Sequence, residues 1–194
     1  MRCYYGTHSV SQAVRWFTNL SLPAWQRHYC WAPDDAVELF RSIRAGLPIG
    51  QIVIWKDYAS GRTLLVDGQQ RLTTLVGSYL PRTAVNTENA PISRVLYSPK
   101  LDDFVLEGVD DDSMAIYDMR DINKMLRDMD KHPGNEARLR AVCQVADAID
   151  GYTIPYCELV GTADEVREAF HRMNRFGRPI QDIDTLLAQA EAAK

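Results

Sequence analysis

Apolar and polar positions alternate along this chain in a pattern that predicts a mixed set of short elements. A first helix is predicted from Val10 to Thr18, capped by Ser9, followed by an extended piece, Leu20-Ser21-Leu22, that Pro23 halts. Pro33-Asp34-Asp35 opens a second helix in which Val37, Leu39, Phe40 and Ile43 recur at helical spacing, and Gly46 ends it. Gln51 to Lys56 reads as a strand because Ile52-Val53-Ile54-Trp55 is branched and aromatic. A turn at Ser60-Gly61 returns the chain as a hairpin through Arg62 to Val66. Arg71 to Leu80 is predicted to be helical. Further on, Ser93 to Tyr97 and Phe104 to Leu106 read as short strands around a turn at Ser98-Pro99. Helices are predicted over Asp121 to Asp130, broken at His132-Pro133-Gly134, and over Glu136 to Ala148. Thr153 to Leu159 reads as a strand. Thr162-Ala163-Asp164-Glu165 has the spacing of a capping box and starts a helix through Met173, and Asp182 to Ala193 forms the last helix.

No internal repeat or linker interrupts this series, so residues 1–194 are expected to form a single domain. Strands and helices mix without regular β-α-β alternation, which favours α+β over a doubly wound sheet. A length of 194 residues with 46% hydrophobic content is enough for one full-sized core. The net charge of -4 argues against a uniformly basic nucleic-acid binder. Charge is uneven, however. Asp110, Asp111 and Asp112 read as a solvated acidic turn, whereas Arg172, Arg175 and Arg178 could present several guanidinium groups to DNA phosphates. The four cysteines show neither C-x-x-C pairing nor zinc-like spacing with the four histidines, so ordinary reduced thiols are expected. With no signal peptide and no apolar stretch of spanning length, the expectation is a soluble cytoplasmic protein without membrane contact.

Several constellations are absent from the sequence: a G-x-x-x-x-G-K-[ST] phosphate loop, a G-x-S-x-G elbow and an H-E-x-x-H zinc helix. His171 has no second histidine-rich block beside it and reads as a helix-surface residue. The most informative segment is Asp67-Gly68-Gln69-Gln70-Arg71, between the apolar runs Thr63 to Val66 and Leu72 to Val76. A strand that runs through such a turn into a helix sets an acid, a bare backbone, two amides and a guanidinium at a helix N-terminus, where unpaired N–H groups favour phosphate. Capping alone needs only Asp67. The remaining residues point to a phosphate site in which Gly68 admits close approach and Gln69, Gln70 and Arg71 donate. Asp67, the only acid of the motif, would hold a metal ion or accept a proton. Phosphoryl transfer needs chiefly positioning and charge neutralisation, usually with Mg2+. Gln26 and Arg27 interrupt an aromatic segment formed by Trp25, Tyr29 and Trp31; taken alone they fit a salt bridge with aromatic packing. Tyr29, Trp31 and Phe176 read as core rather than as stacking platforms.

Three blocks carry a family resemblance. Leu65-Val66-Asp67-Gly68-Gln69-Gln70-Arg71-Leu72-Thr73-Thr74-Leu75 resembles the signature of the GmrSD-type DGQQR domain family, part of the ParB/sulfiredoxin fold group. Upstream, Leu22-Pro23-Ala24-Trp25-Gln26-Arg27-His28-Tyr29-Cys30-Trp31 is similar to that family's first motif and leads through Ser42 to Gly50 into the first long strand. Downstream, Phe170-His171-Arg172-Met173-Asn174-Arg175-Phe176-Gly177-Arg178-Pro179-Ile180 resembles its third.

The resemblance implies a ParB/sulfiredoxin-like small mixed sheet surrounded by helices, with ATP or GTP bound at the D-G-Q-Q-R turn. Gln26 and Arg27 would form a second wall, and Arg172 and Asn174 would complete the site. Family members hydrolyse nucleoside triphosphates and are usually fused to a nuclease that cuts modified foreign DNA. Relatives in the fold group phosphorylate, including a free serine kinase with Asp-Gly-His-His-Arg at this position. The chain ends at Lys194 without a nuclease domain. The expectation that follows is a kinase that phosphorylates a hydroxymethylated base in DNA, working in the bacterial host cytoplasm if it is phage-encoded. The alternative is the nucleotide-hydrolysing sensor of a modification-dependent restriction system whose nuclease is a separate subunit.

Overall fold

A computed structural model describes residues 1–17, 19–22, 29–79, 94–110 and 134–176, without the side chains of 135 and 174–176. The central element is the hairpin of β2 (Ile52–Asp57) and β3 (Arg62–Asp67), which the branched and aromatic residues of this segment predict. The two strands pair antiparallel, with Trp55 opposite Leu64 and Val53 opposite Asp67, and the register shifts between Val53 and Ile54. β6 (Thr153–Val160) pairs parallel with β2, and β1 (Arg2–Ser9) pairs antiparallel with β6. The sheet order is therefore β1-β6-β2-β3. A second, two-stranded sheet joins β4 (Val95–Ser98) to β5 (Asp103–Leu106).

The helices are α1 (Val10–Phe17), α2 (Pro33–Arg44), α3 (Gln69–Tyr79), α4 (Asn135–Gly151) and α5 (Ala163–Phe176). Their starts are written in the sequence. The amide of Gln12 donates to Ser9 Oγ and that of Ser9 to Gln12 Oε1, which closes a reciprocal cap on α1. Thr162 and Glu165 form the same arrangement on α5, the Thr162 amide donating to Glu165 Oε2 at 2.9 Å. Asp35 accepts from the Ala32 amide at 2.9 Å and opens α2.

The alternation of β2 and β6 divides the apolar residues between two faces. Ile52, Ile54 and Ile154 face the larger core, which α1, α2, α3 and α4 complete with Val10, Phe40, Leu72, Leu75 and Ile149. Val53, Trp55, Cys157 and Leu159 face the other way and are covered by Val166, Ala169 and Phe170 of α5. The two-residue turn after β6 sends α5 back along this second face. The architecture is α+β with a small mixed sheet, as the mixture of elements predicts.

Several boundaries differ from the sequence-based expectation. β1 has no counterpart there, because an exposed outer strand needs no apolar run and forms by pairing with β6. Helix α3 starts at Gln69 rather than Arg71, which draws both glutamines into its first turn. β4 includes Ser98, so the turn covers residues 99–102 and closes on Asp102 at φ +52°. α4 and α5 are longer than predicted. The extended piece at Leu20-Ser21-Leu22 is present as a single parallel bridge from Ser21 to Leu64. The helices predicted over 121–130 and 182–193 lie outside the described residues.

Candidate functional site: the turn from β3 into α3

Three local features build this turn. Asp67 is the last residue of β3, and Gly68 follows it at φ +94°. A Cβ on Gly68 would lie 2.3 Å from Ile52 Cδ1, so both the backbone conformation and the packing on β2 demand glycine. Helix α3 then begins at once, its Leu72 amide donating to the Gly68 carbonyl at 3.0 Å. The amides of its first turn lie beyond the helix's own ladder, and the turn holds no acidic residue to offset them.

The two glutamines serve different ends. Gln70 Oε1 accepts from the amides of Cys30 (2.8 Å) and Trp31 (3.3 Å). One turn on, Thr74 Oγ1 donates to the Gln70 carbonyl at 2.9 Å, which leaves the Tyr29 hydroxyl to donate to Thr74 Oγ1 at 2.9 Å. Burial pushes the Tyr29 phenol up from its ordinary pKa. Gln70 and Thr74 thus clamp residues 29–31 against α3, and Gln70 Oε1 is spent on that clamp. Gln69 is 8% exposed, and its Oε1 has no hydrogen-bond partner. A buried acceptor left without a donor costs about 1–3 kcal/mol, which a folded chain tolerates where a ligand supplies the missing partner.

Arg71 braces the site from the side. It donates to the Ile49 carbonyl at 2.8 Å and to Asp67 Oδ2 at 3.2 Å. Its guanidinium lies against Gly50, where a Cβ would come within 2.6 Å of an Arg71 nitrogen at φ +83°. The adjoining loop is held from its other side by Tyr152, whose hydroxyl donates to the Leu47 carbonyl (2.7 Å) and accepts from the Ile49 amide (3.2 Å). Ile49, Gly50 and Thr74 lie within the quoted blocks but carried no role there, and Tyr152 was not singled out, because contacts to distant backbone groups leave no mark in a motif. A glycine immediately before a branched strand was the available signal for Gly50.

Of the other expected site residues, Arg172 alone has a described side chain. Arg172 is exposed on α5 and pairs with Glu168, four residues earlier, at 2.7 Å. His171 is also exposed, as expected. Helix α5 covers the sheet face opposite α3, and its C-terminal turn includes Asn174 and Arg175. The side chains of Asn174 and Arg175, and all of Gln26, Arg27 and Arg178, lie outside the described residues. Tyr29 and Trp31 are partly buried, and Trp31 packs on the larger core.

Comparison with known proteins decides the family. The sequence model of the GmrSD restriction endonuclease N-terminal domain matches residues 10–190. The chain belongs to this family. No curated protein matches it. The match spans α1 to α5, so the turn described above lies within the matched GmrSD N-terminal domain.

Among the described residues of this domain, no three His, Cys, Asp or Glu side chains gather as a metal site. A magnesium ion does not require such a cage, because it is commonly held by one or two carboxylates together with substrate phosphates. Asp67, half exposed beside the start of α3, fits that requirement. No described helix is long and apolar enough to cross a membrane.

Proposed function

We propose that this domain is the nucleotide-hydrolysing sensor of a modification-dependent restriction system, with ATP or GTP at the β3–α3 turn and modified DNA as the signal. The observation that carries the reading is Gln69, an amide over nine-tenths buried with an unpartnered oxygen, set beside a glycine-lined helix N-terminus. The first-turn amides of α3 receive the phosphates, and Gly68 lets them approach the backbone. The Gln69 side-chain oxygen would accept from a ligand donor; with its amide turned over, the same side chain would donate to a phosphate oxygen. Asp67 would hold magnesium, which supplies charge neutralisation on the phosphates when bound. Arg71, already joined to Ile49 and Asp67, orients the carboxylate and offers its remaining donors to the phosphate. Gln70 holds the segment that follows Gln26 and Arg27, the second wall of the pocket. Arg172, Asn174, Arg175 and Arg178 lie on or just beyond α5 and form the DNA side. A ParB/sulfiredoxin-like topology is part of this reading.

The sequence alone placed a DNA kinase first. Membership of a restriction-endonuclease family gives the sensor the better support. The test uses γ-phosphate-labelled ATP and GTP with plain and hydroxymethylated DNA. The sensor releases free phosphate at a rate that modified DNA alters, and no label enters the DNA. Label on the DNA establishes the kinase instead, and neither outcome removes phosphoryl transfer from the turn.

A further inference from the structure

On the sheet face opposite the turn, strand register brings two cysteines together. Among the described residues, β1 is an outer strand of the sheet and pairs with β6 alone. Cys3 stands opposite Leu159 and Tyr5 opposite Cys157. Opposed residues of an antiparallel pair project from the same face, and that face recurs every second residue. Cys3, Tyr5, Cys157 and Leu159 therefore share the face that α5 covers. Cys3 and Cys157 are diagonal neighbours on it, and burial, with Cys3 beside it, pushes the Cys157 thiol up from its ordinary value. One sulfur is exposed and the other buried. Cys30 and Cys143 are exposed on other parts of the chain.

We propose that Cys3 and Cys157 form a reversible redox pair that a hydroperoxide converts into an intramolecular disulfide. The exposed Cys3 thiolate attacks the peroxide. The O–O bond breaks, one oxygen stays on sulfur as a sulfenic acid, and the other leaves as water or alcohol. The Cys157 sulfur then attacks Cys3, the S–O bond breaks, and the hydroxyl leaves with the Cys157 proton as a second water. The two thiols supply the two electrons that the peroxide takes up.

The roles follow from position. Solvent reaches Cys3, whereas burial holds Cys157 protonated and shields it from direct oxidation. Diagonal residues of an antiparallel pair lie about 7–8 Å apart. A disulfide prefers a Cα separation of about 4.4–6.8 Å, so closure shortens this diagonal by about 1 Å as β1 slides along β6. β1 can make that movement because β6 is its only partner strand among the described residues. The resulting bridge is strained and hence readily reduced by dithiols. It joins residue 3 to residue 157 beneath α5, whose Glu165 already holds the Met1 amine at 2.8 Å.

The test treats the full chain with hydrogen peroxide and follows intact mass and free thiols in denaturant. The mass falls by about 2 Da, and the thiol count drops from four to about two and recovers with dithiothreitol. Peptide mapping joins Cys3 to Cys157. Cys3→Ser, at an exposed position, abolishes the mass loss, as does Cys157→Ala, whereas Cys143→Ser retains it. A gain of about 16 or 32 Da with both sulfurs still unlinked overturns the proposal. So does a bridge mapped to Cys30 or Cys143, or a disulfide-linked dimer through Cys3.

Discussion

At the corner between α2 and the β4–β5 hairpin, Arg41 and Arg44 are answered by Asp103 and Asp102. Arg41 donates from Nε to Asp103 Oδ1 at 2.9 Å and also pairs with Glu38. Arg44 donates to Asp102 Oδ1 and to the Asp102 carbonyl, each at 2.7 Å, and the Tyr97 hydroxyl donates to the same carboxylate. At the corner where β3 enters α3, the residue types are similar, an arginine beside an aspartate at a tight turn, but Gln69 is buried with an oxygen unanswered. The first corner uses polar groups to fasten a hairpin onto a helix. The second uses Arg71 and Gln70 to fasten its surroundings and leaves one neighbouring group without a protein partner. On the proposed reading, that unanswered oxygen is what separates a binding corner from a fastening one.

The largest expected effect falls on phosphoryl transfer. Asp67→Ala and Arg71→Ala should each slow triphosphate hydrolysis by on the order of a hundredfold, about 3 kcal/mol in the barrier. The protein should remain folded, as judged by circular dichroism. Near-normal turnover in both variants rejects the turn as the site.

The two glutamines sharpen the comparison within one helical turn. Gln70→Leu strands the Cys30 and Trp31 amides and should lower unfolding free energy by about 2 kcal/mol in urea titration. Gln69→Leu removes a buried unpaired oxygen, so stability should hold or rise by about 1 kcal/mol while nucleotide binding by calorimetry weakens sharply. Equal destabilisation by both substitutions would show that Gln69 has an ordinary structural partner.

The smallest effects belong to the satisfied corner. Arg41→Ala breaks an exposed ion pair and should cost under about 1 kcal/mol, less at high salt, with hydrolysis unchanged. The pH dependence has a definite sign. Hydrogen bonds from Tyr97 and Arg44 hold the Asp102 carboxyl below its usual range, and that of Arg41 does the same for Asp103. A carboxyl with a depressed folded-state pKa stabilises the fold above its unfolded value, near pH 4, and loses that contribution as pH falls through the folded value. Arg41→Ala should therefore flatten the acid limb of the stability curve below about pH 4. An unaltered acid limb would show that these pairs do not contribute measurably.

What the sequence by itself determined is local. Ser9, Thr162 with Glu165, and Asp35 announce three helix starts, and the branched run Ile52 to Trp55 with Ser60-Gly61 announces the hairpin, because caps and turns act over three or four residues. The same locality made the D-G-Q-Q-R turn legible as a junction of strand and helix, and its neighbouring blocks legible as a family. Tertiary structure alone decided how the two glutamines differ. Adjacent in sequence and identical in chemistry, they part company because the amides of Cys30 and Trp31, some forty residues away, reach Gln70 and not Gln69. It also decided that Arg71 holds the Ile49 carbonyl, that an exposed N-terminal segment becomes strand β1, and that Cys3 meets Cys157. Each of these is a contact between segments distant along the chain. Side-chain type and spacing along the sequence do not encode such contacts; the packing of the sheet and its helices does.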